Sequence, residues 1–141
     1  MATTYLIDTN TFSYIAKGTS PAARNQLQRL SQDRNLKLCI SVMTEAEVRF
    51  GVAKRELSRS RRSAVESLLA HLQILPWGSG EAAAYAVTRA RLEARGVTVQ
   101  SMDLLIAAQA IAAGATLVTR DKTFAHIEEI PGTVNWATDL T

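Results

Sequence analysis

Four acids stand where a carboxylate can do chemistry: Asp8, Glu47, Asp103 and Asp121. Asp8 directly follows the apolar run Thr3 to Ile7. Glu47 lies about a turn and a half into the helical stretch after Ser41. Asp103 falls in the first turn of another helical stretch, and Asp121 follows a second apolar run in the string Thr119-Arg120-Asp121. Each has an ordinary structural use. Asp8 suits a helix N-cap, Asp103 complements a helix dipole, and Asp121 suits a turn. Glu47 is more telling. It lies beside an apolar stripe of Val42, Ala46, Phe50 and Ala53, with Val48 and Val52 close by, and a partly covered carboxylate needs a partner.

Together the four point to a cation. Carboxylates about 6 Å apart repel by roughly 3 kcal/mol per pair at an effective dielectric near 20, which raises their pKa values or spreads the site open. A divalent ion removes that repulsion. Hard oxygen donors suit Mg²⁺ or Mn²⁺. The single Cys39 and the widely separated His71 and His126 make no zinc set. Such an ion lowers the pKa of water and neutralises charge on a phosphodiester. Five cations, Lys54, Arg55, Arg59, Arg61 and Arg62, crowd nine positions that hold one acid, Glu56. They fit either a solvated helix face or a phosphate-contacting edge. An acidic pocket with a basic rim is the chemistry of a metal-dependent nuclease.

The elements that must position these acids follow from patterning. Thr3 to Ile7, Lys37 to Ser41 and Ala115 to Thr119 are nearly continuous apolar runs, as in parallel strands covered on both faces. Leu72 to Pro76 and Thr133 to Trp136 supply a fourth and a fifth strand. Helical stretches run from Asn10 to Lys17, Pro21 to Arg34, Val42 to Leu57, Arg59 to His71, Ser79 to Arg95 and Met102 to Ala113, with Gly18, Gly96 and Gly114 as stops. Alternating strands and helices predict an α/β layered domain with a parallel sheet, spanning residues 1–141 without linker or repeat. In such a sheet the functional edge lies at the strand C-termini, where Asp8 and Asp121 fall.

Composition fits this picture and excludes others. The 141 residues are 47% apolar and 21% charged, which is ordinary soluble usage rather than a disordered, collagenous or coiled-coil chain. No apolar run approaches the roughly 20 residues of a membrane span. The N-terminus MATTYLIDTN has no basic region, so no signal peptide is expected. With its lone cysteine, the chain is expected in a reducing, cytoplasmic setting. The net charge is +3. Setting the four acids aside leaves 16 basic against 9 acidic side chains, or +7. That surface permits a nucleic-acid partner.

Four strings carry a family resemblance: Leu6 to Asn10, Ile40 to Gly51, Met102 to Ala107 and Leu117 to Phe124. In order and spacing they resemble the PIN-domain ribonucleases and, within those, the VapC toxins of toxin–antitoxin pairs. The resemblance implies a three-layer α/β/α fold with a mainly parallel central sheet. It also implies Mg²⁺- or Mn²⁺-dependent endoribonuclease activity, leaving a 5′-phosphate and a 3′-hydroxyl. Asp8, Glu47, Asp103 and Asp121 match the family's acids. Asp8 and Asp103 would hold the metal most directly, and Glu47 and Asp121 through water or a second ion. Asn10 and Thr119 match supporting polar positions. Glu47 fits the family glutamate better than Glu45, because it precedes Val48 and stands four before Gly51. The resemblance further implies a homodimer and a cognate antitoxin, whose groove is expected in the region Val42 to His71.

Two rivals remain at this level. A haloacid-dehalogenase-type phosphatase would place a second acid where Asn10 stands, and a receiver domain would place paired acids at the first strand. The other rival is a PIN-like module that binds RNA or protein without cutting; the complete acid set argues against it.

Overall fold

A computed structural model describes residues 3–141. Met1 and Ala2, the start of the N-terminal stretch MATTYLIDTN, lie outside the described residues. The chain runs β1 (Thr3–Ile7), α1 (Thr9–Lys17), α2 (Pro21–Leu30), β2 (Leu36–Ser41), α3 (Val42–Lys54), α4 (Arg59–His71), β3 (Gln73–Leu75), α5 (Ser79–Ala94), α6 (Ser101–Ala113), β4 (Thr116–Val118), a 3-10 turn (Lys122–His126) and β5 (Gly132–Val134). Polar caps start most of the helices. Asp8, Ser20, Ser41 and Ser58 each accept a bond from a backbone N–H of the first turn. α1 and α6 stop at Gly18 and Gly114, whose φ values of 73° and 61° lie in the left-handed region that side chains disfavour.

The five strands form one parallel sheet in the order β3-β2-β1-β4-β5. Its two faces are covered by different helices. On one face α1, α2 and α4 bury Phe12, Ile15, Leu27 and Leu68 against Ile7, Ile40 and Val118. On the other, α5 and α6 bury Leu92, Leu104, Ile106 and Ala107 against Leu6, Cys39 and Leu117. This is the expected α/β/α layering, and no helix among the described residues is long and apolar enough to cross a membrane. Strand order reverses between β1 and β4. At such a switch point the outgoing loops diverge and leave a crevice at the strand C-termini. The Asp8 N–H bonds the Val118 carbonyl at 3.0 Å and closes the floor of that crevice.

Several boundaries differ from the sequence expectation. α2 stops at Leu30 rather than Arg34, because the Ser31 hydroxyl turns back to the Gln28 carbonyl and a polar turn follows. α3 stops at Lys54 rather than Leu57, since Arg55 is extended and Ser58 already caps the next helix. β3, β4 and β5 each span three residues. Trp136, expected in β5, instead leaves the strand and packs its ring 5.7 Å from that of Tyr5.

The most apolar face of α3 is not its buried one. The stripe Val42, Ala46, Phe50 and Ala53 does not face the core. α3 buries Thr44 and Val48, while Phe50 is 64% exposed and Ala46 and Ala53 face solvent. α3 lies at the sheet's edge beside α1 and α4, so the neighbours it meets, not its most apolar face, decide what it buries. The Lys54 ammonium lies over the Phe50 ring, 5.7 Å from its centroid.

Candidate active site at the sheet switch point

All four acids line one polar cavity of about 250 Å³ in the crevice between β1 and β4. Asp8 arrives at the end of β1, Asp121 beyond β4, Asp103 in the first turn of α6 and Glu47 from α3. The structural and chemical readings of these acids are not exclusive. Asp8 does cap α1, accepting from the Thr11 N–H at 2.8 Å, but capping occupies Oδ1 alone. Asp121 caps the 3-10 turn, accepting from the Thr123 N–H at 2.9 Å.

Glu47 is held by a contact the sequence did not announce. The Thr9 hydroxyl donates to its Oε1 at 2.7 Å. The fully buried Thr44 hydroxyl lies 3.2 Å from Thr9 Oγ1. Thr9 has one proton to give, so with it committed to the carboxylate, Thr44 completes the relay as donor. Glu45 plays no part here; it pairs with Arg49 at 2.9 Å, away from the cavity. A second buried tie aligns the helices. Gln109, 2% exposed, accepts from the Ser41 hydroxyl at 2.9 Å and donates to the Pro76 carbonyl at 3.1 Å. It locks α6, which carries Asp103, to the strand end from which α3 departs.

The electrostatics agree with crowding. Burial pushes the Asp8 carboxyl up, against the opposing pull of the Thr119 hydroxyl and of Thr11, with Asp121 adding to the rise. Burial also pushes Asp103 up, and the charges of Asp121, Asp8 and Glu47 add to it. The exposed Asp121 is held down by the Thr123 N–H and hydroxyl. The pocket therefore holds two carboxyls that are costly to ionise beside one that ionises readily.

This donor set fits a hydrated hard cation rather than a closed cage. Among the described residues no three His, Cys, Asp or Glu side chains converge tightly enough to form a ready-made metal shell. The carboxylates surround an open cavity instead. Mg²⁺ typically takes one or two carboxylates and keeps several waters, so it matches oxygen donors spread around an open polar cavity. Zinc, which wants a compact nitrogen and sulfur set, does not.

Other predicted positions divide. Asn10 lines the cavity, as do Gln100, Met102, Ile106 and Phe124. Thr119 does not line it; 5% exposed, it accepts from the Asp121 N–H at 3.0 Å and so fixes the loop that carries the fourth acid. The basic residues stay outside the cavity. Lys54 and Arg55 end α3, Arg59, Arg61 and Arg62 open α4, and all five are exposed. None of them is ion-paired among the described residues. Three arginines at the positive end of a helix dipole oppose it, so local helix stability does not explain them. An apolar groove of about 310 Å³ lies between α1, α2 and α4 and is lined by Ile15, Leu27 and Leu68. The expected groove region Val42 to His71 supplies only its α4 wall; the other walls come from α1 and α2.

A family profile described as PIN domain matches residues 5–130. The chain belongs to the PIN-domain family. Within that family it is 31% identical over 134 residues to Ribonuclease VapC2 of Rickettsia felis, covering 94% of this chain and 97% of the relative. It is 28% identical to the tRNA(fMet)-specific endonuclease VapC of Salmonella typhimurium, over 91% of this chain and 92% of the relative. Among solved structures it resembles VapBC2 from Rickettsia felis bound to a promoter DNA fragment, with a TM-score of 0.86, 31% identity, and coverage of 94% of this chain and 98% of that one. DNA-bound VapBC from Salmonella typhimurium gives a TM-score of 0.84 at 26% identity, covering 96% and 99%. The acid cavity thus lies at the sheet switch point of a VapC-type PIN domain. Membership of this family sets aside the phosphatase and receiver alternatives.

Proposed function

We propose that this protein is a metal-dependent endoribonuclease toxin neutralised by a cognate antitoxin. One observation carries the reading. Four acids from four separate segments line a single cavity at the switch point of a PIN-domain sheet, in a chain whose relatives are named ribonucleases. Asp8 and Asp103 are the residues to hold Mg²⁺ or Mn²⁺, because their raised carboxyls gain most from a cation. Glu47, fixed by Thr9, and Asp121, fixed through Thr119, orient water beside them. The ion supplies an activated water and charge neutralisation on the phosphodiester. Asn10 lines the same cavity and helps to place the substrate.

RNA is the substrate, and the unpaired cations at the α3–α4 corner track its backbone. Lys54 follows Glu47 by seven residues, two helical turns, which puts both on one face of α3 about 10 Å apart along the axis. The α1–α2–α4 groove takes a segment of the antitoxin; the VapBC structures it resembles support that partner. Exposed Phe50 and Val87 are surfaces for a second copy of the chain, and the cytoplasm is its compartment.

Purified protein freed of antitoxin is expected to cleave RNA with Mg²⁺ or Mn²⁺ and to stop on chelation. Asp8→Asn and Asp103→Asn are each expected to abolish cleavage while leaving the fold intact by circular dichroism. Full activity in both variants would overturn the assignment.

A further inference from the structure

A second cavity adjoins the acid pocket and has no role in the reading above. It holds about 420 Å³ between the end of α5 and the start of α6, within the range of small-molecule sites. Its floor is apolar, built from Leu92, Val99 and Leu104, which are 2%, 9% and 5% exposed. Its rim is polar, with Thr98, Gln100 and Ser101. Gln100 lines this cavity and the acid pocket alike, so the two are neighbours with one residue at their common wall.

The chemistry of the rim is neutral. Arg89 is the one cation there, and its Nε and Nη1 are occupied by Glu93 at 3.1 Å and by the Tyr85 hydroxyl at 2.9 Å. A phosphate would meet a cation already neutralised on its own helix. The loop between Val97 and the start of α6 offers hydrogen bonds instead. Among the described residues, the backbone N–H groups of Thr98, Val99 and Gln100 and the carbonyls of Thr98 and Val99 bond no other protein group. Gln100, the N-cap of α6, makes no side-chain capping bond, so its amide is free. An apolar floor with a rim of both donors and acceptors suits a flat heteroaromatic with a mixed polar edge.

We propose that this cavity is a nucleobase subsite, receiving the base of a nucleotide flanking the scissile phosphate. It rests on the ribonuclease reading and deepens it. The phosphodiester sits among the acids, and the adjoining base turns past Gln100 onto Leu92 and Leu104. Reading that base makes the cavity a determinant of where the RNA is cut.

The test is cleavage of a randomised single-stranded RNA pool with sequencing of the ends. The proteins compared are the wild type, Thr98→Trp, which closes the exposed rim, and Val97→Met, which fills the floor from the half-buried Val97. Neither residue lines the acid pocket. The wild type is expected to prefer particular bases at one position beside the cut. Either variant is expected to change that preference by about tenfold or more, with the cutting of disfavoured sequences unchanged. Normal cutting with no base preference beside the cut, or a preference unchanged in both variants, overturns the subsite and leaves the ribonuclease reading standing. No cutting by the wild type with any divalent ion overturns both.

Discussion

Removing the charge of Asp103 should stabilise the metal-free protein while ending its activity. Asp103 shares its cavity with Asp121, Asp8 and Glu47, and burial together with those charges raises its pKa. A cavity of about 250 Å³ is about 8 Å across, and unit charges at that separation interact by about 2 kcal/mol at an effective dielectric near 20. The cavity opens to water, and screening lowers each pair to below about 1 kcal/mol. Three such pairs are relieved by Asp103→Asn. Against them stands the loss of a carboxylate from the first turn of α6, about 0.3–1 kcal/mol of dipole stabilisation. The net is a gain of about 1 kcal/mol at neutral pH, or about 3–5 °C in Tm for a chain of this size.

The pH dependence has a definite sign. Asp8 and Asp103 bind protons more tightly in the folded state than in the unfolded chain. In chelator, the contribution of these two groups to stability therefore falls as pH rises from the unfolded carboxylate value near 4 through the raised folded values, and then levels off. Asp103→Asn makes that fall shallower. Mg²⁺ at a hundredfold excess over its Kd should restore about 2.7 kcal/mol to the wild type and less to the variant. Calorimetric melting between about pH 4.5 and 8, in chelator and in Mg²⁺, reads all of this. A lower Tm for Asp103→Asn in chelator, or equal Mg²⁺ stabilisation of both proteins, would refute the charge-crowding account.

Two further outcomes follow from the same geometry. Thr9→Val removes the 2.7 Å bond to Glu47, a bond to a charged group worth about 1.5–3 kcal/mol. Its kcat/KM for RNA should drop about tenfold or more, whereas Thr9→Ser, which keeps the hydroxyl, should stay near wild type; a serine variant as impaired as the valine one would remove Thr9 from the positioning role. Reversing Arg59, Arg61 and Arg62 to Glu together should weaken RNA binding by the inactive Asp103→Asn protein and flatten its salt dependence by about 0.7 in log–log slope for each phosphate no longer neutralised. An unchanged slope in filter binding would take the α3–α4 corner out of the RNA path.

The acids were legible because their placement is local. A carboxylate directly after an apolar run, or in a first helical turn, sits near a strand end or a helix start whatever else the chain does. The caps Ser20 and Ser41 and the stops at Gly18 and Gly114 depend on neighbours a few residues away, and they appear where the sequence puts them. The positioning groups were not legible. Thr9 meets Glu47 across 38 positions, and Gln109 meets Ser41 across 68. A threonine or glutamine in isolation carries no sign of which distant acid or hydroxyl it will meet.

The sequence by itself thus determined the elements, their alternation and the four acids at their ends, through caps, glycine stops and apolar runs that act over one or two turns. Only the tertiary structure decided which surfaces those elements present. It turned Phe50 outward, because α3 lies at a sheet edge and packs Thr44 and Val48 inward. It set the basic cluster at the α3–α4 corner rather than in the acid pocket, and it opened a neutral cavity beside Gln100. Burial is a property of which elements meet, and that is settled by the closing of the sheet and its two helical layers, not by any one segment's own pattern.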